Sequence, residues 1–270
     1  DKAMTLSVAW VRQRGKAGEL YVATDSRLRW GRAWDCCPKI VPLPRKDAVL
    51  CFAGETEYAY PFMLQIQSAV SMHEKALSRA QDLTDLRGHI LRVVDDMRKQ
   101  VYDFPRGMDD EPPDVFMMLC GYSWKVSDFR IWTLHFKPSE NRFVFRSASN
   151  HKKQTKGTKY FHFVGDHTDE ARSRLYEILK SKRRMTKGGL DMEPFQVLVE
   201  MVRNSDFTSI GGPPQVIKLY RHMNYLPLNV YWPNRDEGRP AFLGRPLLDY
   251  EVNRFPILDP DTCETEPWGR

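Results

Sequence analysis

Seven histidines and five cysteines are the side chains of this 270-residue chain best suited to holding a metal ion. Their spacing argues against one. His73, His89, His135, His151, His162, His167 and His222 form no HExxH or similar ligand pair. Cys36, Cys37, Cys51, Cys120 and Cys263 are odd in number and include no CxxC, so neither a zinc centre nor a disulfide framework is expected. Hydroxyl, carboxylate and amine chemistry remains. Thr5 opens an apolar run, Asp25-Ser26 closes another, Lys39 heads a third, Gly54 follows a fourth, and Asp206 and Ser209 precede Gly211-Gly212. Read singly, each has an ordinary structural role: Asp25 as a turn cap, Lys39 as a solvated strand lysine, Gly54 as a left-handed turn residue, Asp206 and Ser209 as loop punctuation.

Several elements must converge for these residues to act together. Thr5 to Val11 and Glu19 to Asp25 read as strands joined through a charged, glycine-containing turn, and Lys39 to Leu43 with Ala48 to Ala53 as a second hairpin. Helical spacing then takes over. Tyr58, Phe62, Ile66 and Ala69 mark a helix from Glu55 to His73, and Leu86, Ile90, Val93 and Met97 one from Leu83 to Tyr102, stopped by Pro105 and Gly107. Strands return at Asp114 to Tyr122, Phe129 to Phe136, Arg142 to Ser147 and Tyr160 to Val164. Helices over Thr168 to Arg184 and Glu193 to Arg203 and a strand over Gln215 to Tyr220 complete the series. Hairpins interleaved with helix pairs predict an α+β fold, a four-layer αββα sandwich of two antiparallel sheets between helix layers.

Length and a 41% apolar content suit one large domain, placed at residues 5–221. From His222 to Arg270 proline becomes frequent and periodicity fades, which predicts an extension packed on the core or on a neighbouring subunit. The net charge of +6 is spread along the chain apart from the runs at residues 151–156 and 180–184, so no nucleic acid is expected as partner. With no apolar run of about 18 residues, no secretory signal pattern and no disulfide framework, the expectation is a cytoplasmic protein with no membrane partner and no cofactor.

The order of these elements meets specific residues in five stretches. Thr5-Leu6-Ser7-Val8-Ala9 resembles the opening strand of the proteasome β-subunits and of their bacterial relative, the heat-shock-locus peptidase. Val22-Ala23-Thr24-Asp25-Ser26-Arg27 is similar to that family's second strand, and Pro38-Lys39-Ile40 to its lysine-bearing one. The run from Cys51 to Glu57 is similar to its alanine-glycine turn into the first helix, and Asp206-Phe207-Thr208-Ser209 with Gly211-Gly212 to its aspartate and serine before a glycine pair. The resemblance spans Thr5 to about Arg221.

It implies an N-terminal-nucleophile hydrolase cleaving peptide or amide bonds, in which Thr5 is the nucleophile. A threonine hydroxyl needs a base, and an N-terminal threonine supplies one as its own α-amine, with an ordinary pKa near ~7.7–8.0. By the same resemblance, Lys39 lowers the proton affinity of amine and hydroxyl, Asp25 holds Lys39 charged and oriented, and the Gly54 N–H faces the oxyanion. Asp206 and Ser209 would fix the amine and the attacking water. Leu28, Cys37, Val41, Phe52 and Thr56 would line an apolar specificity pocket. A homo-oligomer is implied, together with an unfoldase or regulatory protein as a further partner. A small-amide hydrolase of the same fold and a catalytically inactive binding or scaffold protein are the alternatives.

Three features depart from the family pattern. Asp1-Lys2-Ala3-Met4 precedes Thr5, so the amine becomes a base only when residues 1–4, an added remnant or a processed leader, are gone. Gly165-Asp166-His167 stands where the family has a serine between glycines, which makes Asp166 a further candidate as hydrogen-bond acceptor for the amine. The third departure is the proline-rich segment after residue 221.

Overall fold

The computed structural model describes residues 5–14, 17–102, 112–148, 159–186 and 188–267. The expected leader at 1–4, the basic run at 151–156 and the helix stop at Pro105 and Gly107 lie outside the described residues. Strand β1 (Leu6–Arg14) and strand β2 (Ala17–Thr24) pair antiparallel, with Ser7 opposite Thr24. They are apolar on both faces because both are covered. Leu6, Val8 and Trp10 point to one side with Tyr21 and Ala23, and Ala9, Val11, Leu20 and Val22 point to the other.

A small hairpin, β3 (Leu28–Trp30) with β4 (Arg32–Trp34), turns at Gly31, whose φ is 68°. The sequence reading treats this stretch as a loop, because β4 is exposed throughout and so lacks an apolar alternation. Strands β5 (Ile40–Pro42) and β6 (Ala48–Gly54) follow, then helices α1 (Thr56–Met72), α2 (Glu74–Leu77) and α3 (Leu83–Arg98). Asp82 caps α3 by accepting from the Thr84 N–H at 2.8 Å. The helix stops four residues short of the expected Tyr102.

The second half contains β7 (Val115–Ser123), β8 (Asp128–Lys137), β9 (Arg142–Ser147), β10 (Phe161–Gly165), α4 (Thr168–Ser181), α5 (Glu193–Arg203) and β11 (Gln215–Tyr220). Helix α4 ends before the expected Arg184, and Arg183 is left-handed at φ 53°. Beyond residue 221 the chain adds β12 (Tyr225–Trp232), β13 (Arg239–Phe242), β14 (Arg245–Pro246), β15 (Ile257–Leu258) and β16 (Thr265–Glu266). Strand β12 pairs with β11, Val216 lying opposite Leu228, so the sheet continues into the segment where proline hides the strand pattern.

The chain is thus a mixed α/β fold. Its larger sheet runs β10-β1-β2-β11-β12-β13-β14, with β15 beside β12 and β16 beside β15, and its second runs β5-β6-β7-β8-β9. Three buried apolar clusters hold it together. One joins α4 and α5 to β1, β2, β10 and β11; a second joins α1 and α3 to β6, β7 and β8; the third brings residues of both sheets together, such as Val22 and Ile217 with Cys51 and Ile131. Among the described residues no helix is long and apolar enough to cross a membrane.

Candidate functional site

Sheet register decides where the reactive residues meet. Thr5 stands just before β1 and is buried, Asp25 just after the paired end of β2, and Lys39 just before β5. The Lys39 Nζ donates to Thr5 Oγ1 at 2.9 Å and to Asp25 Oδ1 at 2.8 Å, and the side chains of Lys39 and Asp25 are both 0% exposed. Three backbone N–H groups also converge on the Asp25 carboxylate: Leu6 at 3.2 Å on Oδ1, and Arg27 and Gly211 at 3.0 Å each on Oδ2. Burial pushes the Asp25 carboxyl up and the Lys39 ammonium down, and their mutual attraction opposes both effects. The backbone donors further favour the carboxylate.

The wall behind Lys39 is polar but uncharged. Ser7 Oγ donates to Thr24 Oγ1 at 2.7 Å, and the Cys51 thiol donates to Ser7 Oγ at 3.2 Å. Burial pushes the Cys51 thiol up to about 12, so it stays protonated beside the lysine at neutral pH. Gln215 was not read from the sequence as a site residue, yet it fixes the course of the chain here. Its Oε1 accepts from the Lys39 N–H at 2.9 Å, while its Nε2 donates to Cys37 O at 2.7 Å and Ser26 Oγ at 2.8 Å. A buried glutamine 176 residues from its partner leaves no local signal.

Gly165 brings backbone close to Thr5, and Gly54 brings it close to Asp114. Both have φ near 102°, a conformation that L side chains rarely adopt. A Cβ on Gly165 would lie 1.9 Å from Thr5 O, and one on Gly54 would lie 2.1 Å from Asp114 O. The Glu55 N–H bonds to Asp114 O at 2.9 Å across β7, and the Phe52 N–H bonds to Lys39 O at 3.2 Å on the opposite side. By the alternation of an antiparallel ladder, the Gly54 N–H points away from β7, toward the side occupied by Lys39.

Asp166 joins this group. Its N–H donates to Thr5 O at 2.7 Å, and its Oδ2 is buried without a hydrogen-bond partner. Burial raises its pKa, with Asp25 and Asp114 adding to the rise and His167 and Lys39 opposing it. Ser209, 4% exposed, meets Nε2 of His167 at 2.9 Å, and His167 itself was not singled out from sequence as a site residue. Asp206 is not brought to this group. It is exposed in the turn after α5, where its N–H donates to Asn204 Oδ1 at 2.9 Å, and among the described residues no hydrogen bond ties it to Thr5. The Asn204 side chain closes a turn over the next two residues, and Asp206 lies exposed in that turn.

Arg27 locks the surrounding loops. Its guanidinium pairs with Asp35 at 2.7 Å and donates to Thr208 O and Ile210 O at 3.1 Å, which holds the Gly211 N–H against Asp25. Of the expected pocket residues, Leu28, Val41 and Phe52 pack in one cluster, where Phe52 meets Tyr60 edge-on at 5.4 Å. Cys37 is half-buried beneath the Gln215 amide, and Thr56 begins α1. Among the described residues no group of three or more His, Cys, Asp and Glu side chains is placed to hold a metal ion.

No protein-family model matches the chain, and no curated protein matches it. Solved structures do share the fold. One is a Gly-1 mutant of Anbu from Hyphomicrobium sp. strain MC1, similar over 82% of this chain and 84% of that one, with a TM-score of 0.53 and 16% sequence identity. At that identity the likeness shows the fold alone.

Proposed function

We propose that this chain is a threonine-type N-terminal-nucleophile hydrolase that cleaves peptide or amide bonds once the residues through Met4 have been removed. The observation that carries the reading is the buried contact of Lys39 Nζ with Thr5 Oγ1 at 2.9 Å, backed by Asp25 at 2.8 Å. A lysine whose burial lowers its proton affinity stabilises an alkoxide forming on Oγ1, and Asp25 keeps it oriented. The freed α-amine of Thr5 takes the hydroxyl proton as Oγ1 attacks the carbonyl carbon, then returns it to the leaving amine; water releases the acyl group by the same route. The Gly54 N–H serves the oxyanion, a role typically worth ~3–4 kcal/mol.

The unpartnered Oδ2 of Asp166 supports the same reading, because a free amine on Thr5 is the donor that its position lacks. Ser209 acts through His167 on this side of the site. Leu28, Val41 and Phe52 receive an apolar side chain preceding the cut, beside Cys37 and Thr56. The three apolar clusters support a four-layer αββα order, with the segment after residue 221 extending one sheet through β12. A homo-oligomer working in the cytoplasm with a regulatory or unfoldase partner completes the proposal.

Mass spectrometry of the protein as it occurs in its cell tests it. The expected chain begins at Thr5 and gains one covalent β-lactone adduct on that residue, absent in Thr5→Ala. A chain that retains Met4 and never labels refutes threonine catalysis. Hydrolysis of small amides with casein left untouched would move the substrate class to small amides.

A further inference from the structure

A slot of about 290 Å³ opens beside Gly165, between the inward faces of the two sheets and against the first turn of α4. Along β8 the inward face begins as core, with Phe129 and Ile131 in the cluster that joins the sheets. At the next two inward positions the apolar pattern breaks and the residues are Thr133 and His135. Arg146 lies directly opposite Thr133 on β9, and His162 faces them from β10, on the same side as Val164 and Tyr160 of the inter-sheet core.

Thr133 is 7% exposed, and its Oγ1 has no hydrogen-bond partner. A buried hydroxyl left unpaired costs ~1–3 kcal/mol, so a strand that could have carried valine there bears a polar group suited to a ligand in the slot. Thr168, the first residue of α4, lies at the rim, and His167 at the N-cap supplies no side-chain cap. Among the described residues no carboxylate lines the slot, and Arg146 is in no ion pair. Burial and the nearby Arg172 push His162 down to about 4, so with the slot empty its ring is neutral at ordinary pH and can still donate one N–H.

We propose that this slot binds an oxoanion, a phosphate or carboxylate group, held by Arg146, Thr133 Oγ1, His135 and His162. Because a Cβ on Gly165 would touch the Thr5 carbonyl, the slot abuts the Thr5 backbone. The oxoanion has two sources: a free phosphate-bearing molecule, or an acidic side chain of a chain bound across the site. Recognition of the anion itself does not depend on Thr5 acting as a nucleophile.

Calorimetric titration of inorganic phosphate into the full chain tests this. Saturable 1:1 binding is expected, weakened about tenfold or more by Arg146→Gln and severalfold by Thr133→Val, with Thr133→Ser retaining it. Arg146 is exposed, so its replacement leaves the fold intact, which circular dichroism verifies. Absence of binding, or binding unchanged in both Arg146→Gln and Thr133→Val, overturns the proposal. A peptide bearing glutamate, set against its glutamine counterpart, separates the sources: displacement of phosphate by the acidic peptide alone assigns the slot to a substrate side chain, and phosphate binding without displacement assigns it to a free anion. Repeating the titration with Thr5→Ala keeps the two readings apart, since loss of peptide cleavage with retained phosphate binding would leave the slot standing.

Discussion

Replacing Lys39 by methionine removes a cation that is 0% exposed and leaves the Asp25 carboxylate facing only backbone donors. Breaking a buried ion pair from one side typically costs ~3–5 kcal/mol. Three N–H groups remain on Asp25, so the loss for Lys39→Met is set near the lower limit, about 3 kcal/mol. Asp25→Asn strands the ammonium instead and turns an amide N–H₂ toward at least one backbone donor, at a similar cost of about 3 kcal/mol. Independent effects would sum to about 6 kcal/mol in the double variant. With both charges gone, the double variant should lose only about 3 kcal/mol, a coupling of about 3 kcal/mol. Urea denaturation of the wild type, both single variants and the double variant at neutral pH measures the cycle, with a common slope confirming that the midpoints report stability. Additivity within about 0.5 kcal/mol would refute the ion pair. Lys39→Met should in addition abolish β-lactone labelling of Thr5 in protein that is still folded; undiminished labelling would exclude the lysine from activating the hydroxyl.

Two further outcomes are expected. Gln215→Leu removes the bridge from the Lys39 N–H to Cys37 O and Ser26 Oγ, so it should cost ~1–3 kcal/mol and slow Thr5 labelling more than tenfold, whereas Gln215→Glu should restore part of the labelling; stability and labelling both unchanged would show that Gln215 does not position Lys39. His162 falls from 6.5 to about 4 on folding, so the unfolded chain takes up the proton first and stability is lost as pH falls from about 6.5 toward 4. Allowing for partial exposure, that loss is on the order of 2 kcal/mol, and in phosphate-free buffer His162→Gln should be correspondingly less acid-sensitive by urea denaturation; equal sensitivity would place the titration elsewhere.

Local pattern made much of the fold legible. Strand β6 is apolar in six successive buried positions, and α5 buries Phe195, Leu198 and Val199 at helical spacing, so length and periodicity suffice to read them. The β3–β4 hairpin escaped because its outer strand faces solvent, and β12 escaped because Pro227 sits within it opposite Ile217, although Leu228 and Val230 are buried. Asp206 shows the opposite failure. Its place in a motif suggested a role behind the threonine, but it lies exposed in the side-chain turn at Asn204.

What the sequence alone determined was most of the strands and helices as far as Tyr220, and that Thr5, Asp25 and Lys39 each lie at the margin of a strand. Those properties follow from residue types within a few positions of one another. What only the tertiary structure decided was that the three side chains converge at 2.8–2.9 Å, that Gln215 and Arg27 tie the loops that carry them, and that Thr133 and Arg146 face His162 across an open slot. Those contacts depend on the register between strands far apart in the chain, where one residue of slip would turn each side chain to the opposite face.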